Sequence, residues 1–371
     1  MISDYLYRKA SINKVPLNGT FELSPVCNFA CKMCYIRKTP AQLKQEGKTL
    51  IPWQSWLELA EQCRAAGTLY LLLTGGEPFL YPGFRQLYEE LHKMGFLIAI
   101  NSNGTMIDEE TVQWLRKAAP SRINITLYGA SAETYARICG DPTGYERAMF
   151  AIRRLHEVGI PVVINGSMIP ENQGDLEQII QIGKNLGVNT RVSTYMFPPM
   201  RREQEQGDSR FTPEESARMF LHRSRCQMSE DGYRDYLKRS LEKVSENQGD
   251  ADNWGAAPEY MRCRAGRSTF WINWEGYMTA CGMLDFPMRT EPFREPFLDC
   301  WLRLTECVRT TPVLQGCSGC PKREVCSVCV AMIYGETGTV NQKAPYLCRL
   351  ADEVLDGMRR EVEDMTWKTE P

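Results

Sequence analysis

Cys27, Cys31 and Cys34 fall within one short run, Ser24-Pro25-Val26-Cys27-Asn28-Phe29-Ala30-Cys31-Lys32-Met33-Cys34-Tyr35, and no fourth cysteine follows nearby. A four-iron, four-sulfur cluster ordinarily takes four thiolates, so a compact three-cysteine loop leaves one iron open to a ligand that is not protein. An open iron points to chemistry rather than electron storage. The competing explanations are a structural zinc loop and three unrelated buried thiols. Zinc usually pairs CxxC with a second CxxC or with histidines. The only histidines are His92, His156 and His222, each in sequence of amphipathic helical period and none near this loop, so none is assigned to catalysis.

The CxxxCxxC spacing followed by an aromatic residue, Tyr35, resembles the signature of the radical S-adenosylmethionine (SAM) superfamily. The resemblance implies that the open iron chelates SAM, whose reductive cleavage yields a 5′-deoxyadenosyl radical that abstracts hydrogen from an unactivated C–H bond. Gly75-Gly76-Glu77-Pro78 looks like the GGEP motif of the same enzymes. Two glycines permit close backbone approach, and Glu77 with strand-end carbonyls offers acceptors to an ammonium group. The resemblance further implies SAM contacts from Asn101, Ser102 and Asn103, for which helix capping is an equal explanation. It implies another from Thr126, in Thr126-Leu127-Tyr128-Gly129, where Tyr128 stands in place of the usual acid. The family's arginine position holds Cys139, which leaves Arg137 as the carboxylate partner.

A second array begins at Cys263 and runs through Gly276 and Cys281 to Cys317, Cys320, Cys326, Cys329 and Cys348. It resembles the SPASM domain, the auxiliary-cluster module of peptide-modifying radical SAM enzymes. The resemblance implies two auxiliary [4Fe-4S] clusters beside the SAM-binding one. The outer would sit on Cys317, Cys320, Cys326 and Cys348, the inner on Cys263, Cys281 and Cys329. The inner set lacks a fourth thiolate, so either an iron is open or Cys300 or Cys307 completes it. Both lie in apolar helical sequence, where buried thiols are expected, and Cys63, Cys139 and Cys226 are also read as structural. A zinc site at CxxC-x5-CxxC is the alternative, with a short spacer for a ribbon.

These motifs need elements to hold them. Short apolar runs at 20–23, 69–74, 96–101, 123–127, 162–167 and 188–195 alternate with helical periods at 53–66, 84–94, 108–117, 144–158 and 175–186. That alternation predicts βαβ units and a parallel sheet, here an α/β partial (β/α)6 TIM-like barrel. Ligands of such sheets bind at the carboxyl ends of strands, where the cysteine loop and GGEP both fall. The expected organisation is a barrel over 1–197, a helical linker region over 198–258 with helices at 213–229 and 232–246, and a cysteine-rich SPASM domain with a C-terminal helix over 259–371.

Composition narrows the class. With 371 residues, 43% hydrophobic content and a net charge of −2, the chain has an ordinary core and no electrostatic case for nucleic acid. No signal peptide or membrane-spanning run appears, so a cytoplasmic protein without a membrane partner is expected, and its fifteen cysteines argue for metal ligation over disulfides. Three functions follow from the resemblance or compete with it. The first is radical modification of a ribosomal peptide by thioether or carbon–carbon crosslinking or by epimerisation. The second is anaerobic sulfatase maturation to formylglycine, or small-molecule radical oxidation. The third is an iron–sulfur electron carrier, which has no need of GGEP. The maturases carry an aspartate where this chain has Gly282. The implied partners are a peptide or small-molecule substrate and a flavodoxin- or ferredoxin-type electron donor. The segment before the first strand is too short for a winged-helix leader-binding module, which points to a separate leader-binding protein or a short substrate.

Overall fold

The computed structural model describes residues 2–201, 209–247, 259–261, 263–285, 287–314, 316–317 and 319–367. Residues 202–208 and 248–258 of the expected linker region lie outside the described residues. Six parallel strands form the barrel wall: β1 (Asn18–Glu22), β2 (Tyr70–Thr74), β3 (Leu97–Ser102), β4 (Arg122–Thr126), β5 (Val162–Ser167) and β6 (Asn189–Ser193). A two-residue strand, β7 (Glu259–Tyr260), pairs with β10 (Pro312–Val313). Between them, β8 (Thr269–Ile272) joins β1 in parallel and turns back into β9 (Met278–Thr279), giving the order β6-β5-β4-β3-β2-β1-β8-β9. The wall therefore continues into the cysteine-rich C-terminal segment.

The strand sequences dictate which way this sheet faces. Residues of one parity are apolar and align in register as Ile272, Phe21, Leu73, Ile100, Ile123 and Val162 across six strands. Residues of the other parity pair as Glu22 with Thr74, Asn101 with Asn124, Thr126 with Asn165, and Ser167 with Ser193. Because side chains alternate across a strand, the apolar rung must lie under helices and the polar rungs must line the barrel interior.

The chain opens with α1 (Ile2–Ile12), and α2 (Pro40–Gln45) follows the cysteine loop. The helices covering the apolar rung are α3 (Trp53–Ala65), α4 (Phe84–Lys93), α5 (Glu109–Lys117), α6 (Ala132–Cys139), α7 (Gly144–Glu157) and α8 (Leu176–Leu186). Their buried residues recur at helical spacing, as with Phe84, Leu87, Tyr88 and Leu91 in α4.

β6 is the edge of an open sheet, and α9 (Pro213–Gln227) covers it. Ser216 Oγ donates to Thr194 O at 2.8 Å, Arg223 to Val192 O at 3.1 Å and Gln227 Nε2 to Thr190 O at 3.2 Å. Alternate edge carbonyls are thus satisfied by one helix. α9 and α10 (Glu230–Asn247) pack with α13 (Pro345–Trp367) around Leu221, Tyr233, Leu237, Leu355 and Met358, a core separate from the barrel's.

α11 (Phe297–Thr310) returns to the barrel, and α12 (Val330–Thr337) begins directly after Cys329. Trp301 of α11 is fully buried, edge-on to Phe270 of β8, and donates from Nε1 to Lys14 O at 2.6 Å. One indole thus ties the C-terminal segment to the chain entering β1. Truncating a buried Trp costs about 3–5 kcal/mol. Trp301→Ala is expected to lower the urea-unfolding midpoint by that equivalent, while Leu302→Ala on the exposed face of the same helix shifts it by no more than about 0.5 kcal/mol.

Candidate functional site: a cysteine loop at the barrel mouth

Backbone bonds hold the first cysteine loop from two sides. Leu23 N donates to Thr74 O at 2.8 Å, Gly76 N to Ser24 O at 2.6 Å and Glu77 N to Val26 O at 2.9 Å, so the β1–β2 ladder runs on into the loop. A Cβ on Gly75 would meet Ser24 O at 2.5 Å, and one on Gly76 would meet Val26 O at 2.3 Å. Both glycines are needed so that two backbones can touch. On the other side, Ala30 N donates to Cys139 O at 2.9 Å and Lys32 N to Ile138 O at 3.2 Å, which satisfies carbonyls at the end of α6. Phe29 fills the space between, edge-on to Tyr128 and Tyr135.

Glu77 is fully buried and accepts from Ser102 Oγ at 2.9 Å, Asn103 N at 2.8 Å and Phe79 N at 3.2 Å. Sequence reasoning offered this carboxylate to an ammonium, but protein donors already engage both oxygens. Its influence runs through Asn103, whose Nδ2 donates to Asn28 Oδ1 at 2.9 Å and approaches Cys27 Sγ at 3.7 Å. Pro78 starts the 3-10 turn that aims this carboxylate back at β3. Burial pushes the Glu77 carboxyl from 4.5 up to about 7, against the pull of its three donors.

Inside the barrel, Asn124 Nδ2 donates to Asn101 Oδ1 at 2.7 Å, and Asn124 Oδ1 is buried without a hydrogen-bond partner. A buried acceptor in this position calls for a donor from a bound molecule. Thr126 lies in register beside Asn165, one residue pair nearer the mouth. Arg137 Nε donates to Glu171 O at 3.0 Å and its guanidinium faces Glu133, while the Glu171 carboxylate lies 3.5 Å from Lys32 Nζ of the cysteine loop. Two residues further on, the Cys139 thiol, read above as structural, is within hydrogen-bond reach of Cys31.

The thiols of the first loop are held in surroundings that disfavour bare thiolates. Burial pushes Cys27 up to about 12, opposed by Phe29 N donating to its sulfur at 3.4 Å. Cys31 is raised well above the ordinary value, first by the Cys139 thiol and then by burial. A soft cation replaces those protons and makes the thiolate the favoured form, so the donor set fits an iron–sulfur centre.

The C-terminal cysteines form two groups. Cys281 neighbours both Cys329 and Cys263, and burial raises the thiols of Cys263 and Cys281. Cys317, Cys320, Cys326 and Cys348 together line an apolar cavity of about 60 Å³. Cys300 instead faces Thr290 and Arg303, and Cys307 faces Thr311, so the fold does not direct either into the inner group.

Sequence reasoning missed the contact that joins the two cysteine regions. Arg201 makes a bidentate pair with the fully buried Glu22, at 2.8 and 2.7 Å, and also donates to Gly282 O at 3.3 Å. Trp271 Nε1 adds a third bond to Glu22 at 3.1 Å, and the guanidinium lies 5.5 Å from the Tyr35 ring centroid. Tyr35 follows Cys34 and Gly282 follows Cys281, so one guanidinium contacts both loops. A glutamate at the end of the first strand, followed directly by Leu23, was the available signal.

Two cavities flank this pair. One of about 250 Å³ is lined by Met33, Tyr35, Tyr195, Phe197 and Met283. The other, about 380 Å³, is lined by Lys48, Arg201, Trp271, Cys281, Met283 and Asp285. Met283 belongs to both walls. The space therefore extends from the first cysteine loop to the second, with the 196–201 strap dividing it.

Residues 21–182 match the radical SAM superfamily. The chain carries a radical SAM domain. That match begins one residue before Glu22 and takes in the cysteine loop, the GGEP turn and the polar inner rungs through β5. AdoMet-dependent heme synthase of Methanosarcina barkeri is similar at 24% identity over 346 residues, spanning 91% of this chain and 97% of that protein. PqqA peptide cyclase of Ruegeria pomeroyi is similar at 26% identity over 239 residues, 61% of this chain and 62% of that protein. The crystal structure of Streptococcus suis SuiB bound to precursor peptide SuiA shares the fold with a TM-score of 0.64 at 16% identity, covering 92% of this chain and 78% of that one. The chain is an enzyme of the radical SAM kind, and its domain is a SAM-binding one. No helix among the described residues is long and apolar enough to cross a membrane.

Two outcomes follow for the radical SAM domain. Arg201→Met leaves the Glu22 carboxylate buried and unpaired, so it is expected to cost about 3–5 kcal/mol in denaturant unfolding, most of which Glu22→Met in the same chain recovers. Glu77 titrates near 7 in the fold against 4.5 ordinarily, so its contribution to stability is full below pH 4.5 and is lost as pH rises through about 7. Without added SAM, the stability of wild type relative to Glu77→Gln should fall by on the order of 2 kcal/mol between about pH 5 and about pH 8.

Proposed function

We propose that this enzyme modifies a peptide by radical chemistry, with SAM and a [4Fe-4S] cluster at Cys27, Cys31 and Cys34 and two auxiliary clusters at the C-terminal groups. Bound there, SAM and the cluster supply a hydrogen-abstracting adenosyl radical. The observation that carries the reading is the divided space running from Tyr35 to Cys281. Its two compartments suit neighbouring side chains of one peptide better than a single flat molecule. Met33, Tyr35, Phe197 and Met283 line the compartment beside the first loop and exclude water from the abstraction step. In the larger compartment Asp285 is hydrogen-bonded to Tyr334 and about half exposed, which suits it to take the proton lost when a crosslink forms after hydrogen abstraction, while an auxiliary cluster held by Cys263, Cys281 and Cys329 would take the accompanying electron.

Peptide substrates of SuiB and PqqA cyclase, as their names state, agree with this reading. A formylglycine-forming maturase is less well supported. The place of that family's aspartate is Gly282, and a Cβ there would lie 2.6 Å from the Trp271 ring. A second reading, tetrapyrrole chemistry, draws on the near full-length similarity to heme synthase.

Anaerobically reconstituted enzyme should be brown, hold about twelve irons and release 5′-deoxyadenosine from SAM under reduction. Incubated with candidate peptides, it should yield a product lighter by two hydrogens for a crosslink, or of equal mass with solvent deuterium for epimerisation. Asp285→Asn should retain 5′-deoxyadenosine release and lose at least about tenfold in product. Heme formation from a tetrapyrrole precursor with no peptide product would establish the second reading. Colourless, zinc-filled protein would end both.

A further inference from the structure

Away from the barrel mouth, α8 and α9 bring together three side chains that sequence reasoning left without a shared role. Glu177 lies in the first turn of α8, and His222 and Cys226 lie one turn apart on α9. The i, i+4 spacing puts the imidazole and the thiol on one face of α9. A carboxylate oxygen of Glu177, a ring nitrogen of His222 and Cys226 Sγ all lie within 4.8 Å of one another. We propose that Glu177, His222 and Cys226 form a mononuclear zinc site that pins α9 to α8.

The donor set selects the metal. One oxygen, one nitrogen and one sulfur suit a borderline cation, and with water as fourth ligand they complete a tetrahedron. Metal–ligand lengths of about 2.0–2.3 Å need the donors about 3.3–3.8 Å apart, so a rotamer adjustment of about 1 Å closes the site. Carboxylate and thiolate together neutralise the dication. Cys226 is half-buried and the other two are exposed, which leaves the site open to entering metal and to its water. Among the described residues, neither Glu177 nor His222 makes another hydrogen bond or ion pair. The helices are already fixed beside the site, because Lys184 Nζ of α8 donates to Cys226 O at 2.7 Å. Little ordering is therefore left for the metal to impose. The same stretch of α9 carries Arg223 and Gln227, which cap the β6 edge, so zinc here would hold that cap in place.

The test uses cluster-reconstituted enzyme, equilibrated anaerobically with Zn²⁺ and desalted, with zinc and iron measured together. Wild type should retain about one zinc per chain, with one sulfur and three nitrogen or oxygen neighbours by X-ray absorption at the zinc edge. His222→Ala/Cys226→Ser should lose that equivalent at unchanged iron content, and Glu177→Gln should lower retention. Any of three results would overturn the site: no retained zinc, equal zinc in wild type and the double variant, or an all-sulfur shell indicating zinc in cluster cysteines.

Discussion

The buried pair between Glu22 and Arg201 is the constraint on which the geometry of the mouth depends. A carboxylate with no exposure at the end of a central strand demands a cation, and Arg201, on the 196–201 strap drawn across the mouth, supplies it. That strap fixes the Gly282 carbonyl, and with it the loop bearing Cys281, relative to Tyr35 and Cys34. Burying an ion pair is a poor route to stability, since desolvation offsets most of the attraction. What it provides here is registry: two loops distant in sequence meet in one arrangement.

A second constraint is the polarity of the inner rungs. Small closed barrels fill their interiors with branched apolar side chains. This one is open between β6 and β9 and presents Glu22, Thr74, Asn101, Asn124, Thr126, Asn165 and Ser193 inward. An interior so lined does not pack upon itself and needs a polar occupant. Glu77 shows how the site is built in layers. The acid lies behind Ser102 and Asn103, and those residues reach Asn28 and Cys27 in turn. A change at Glu77 therefore reaches the sulfur by way of Asn103.

Local pattern made the barrel legible, and long-range contact did not. Strand 162–167 was read with its observed bounds, and α3, α4, α5, α7 and α8 within a residue, because hydrophobic period is a property of contiguous residues, whereas the eight-residue α6 was not read as a helix. The placement of β8 beside β1 was not legible, since Thr269–Ile272 is too short to announce its partner. The CxxxCxxC run and GGEP were plain, but the role of the glycines was only half visible. Spacing suggested room for a ligand, while the structure shows room for the backbone of Ser24–Val26. The proximity of Cys139 to Cys31 was not legible for a similar reason. Residues two apart on a helix point in different directions, and nothing in the sequence says which of them faces the loop.

The helix laid along β6 has a further consequence for recruitment. Peptides are often recognised by adding a strand to an exposed sheet edge, where main-chain hydrogen bonds supply the affinity. Here the carbonyls of Thr190, Val192 and Thr194 are already taken by Ser216, Arg223 and Gln227, and the opposite edge is a two-residue strand whose Met278 is paired with Thr290. Among the described residues both edges of the barrel sheet are covered, which also guards it against pairing with other chains. A peptide substrate of the kind proposed would therefore be read by its side chains, through the mouth, and not by its backbone along the wall.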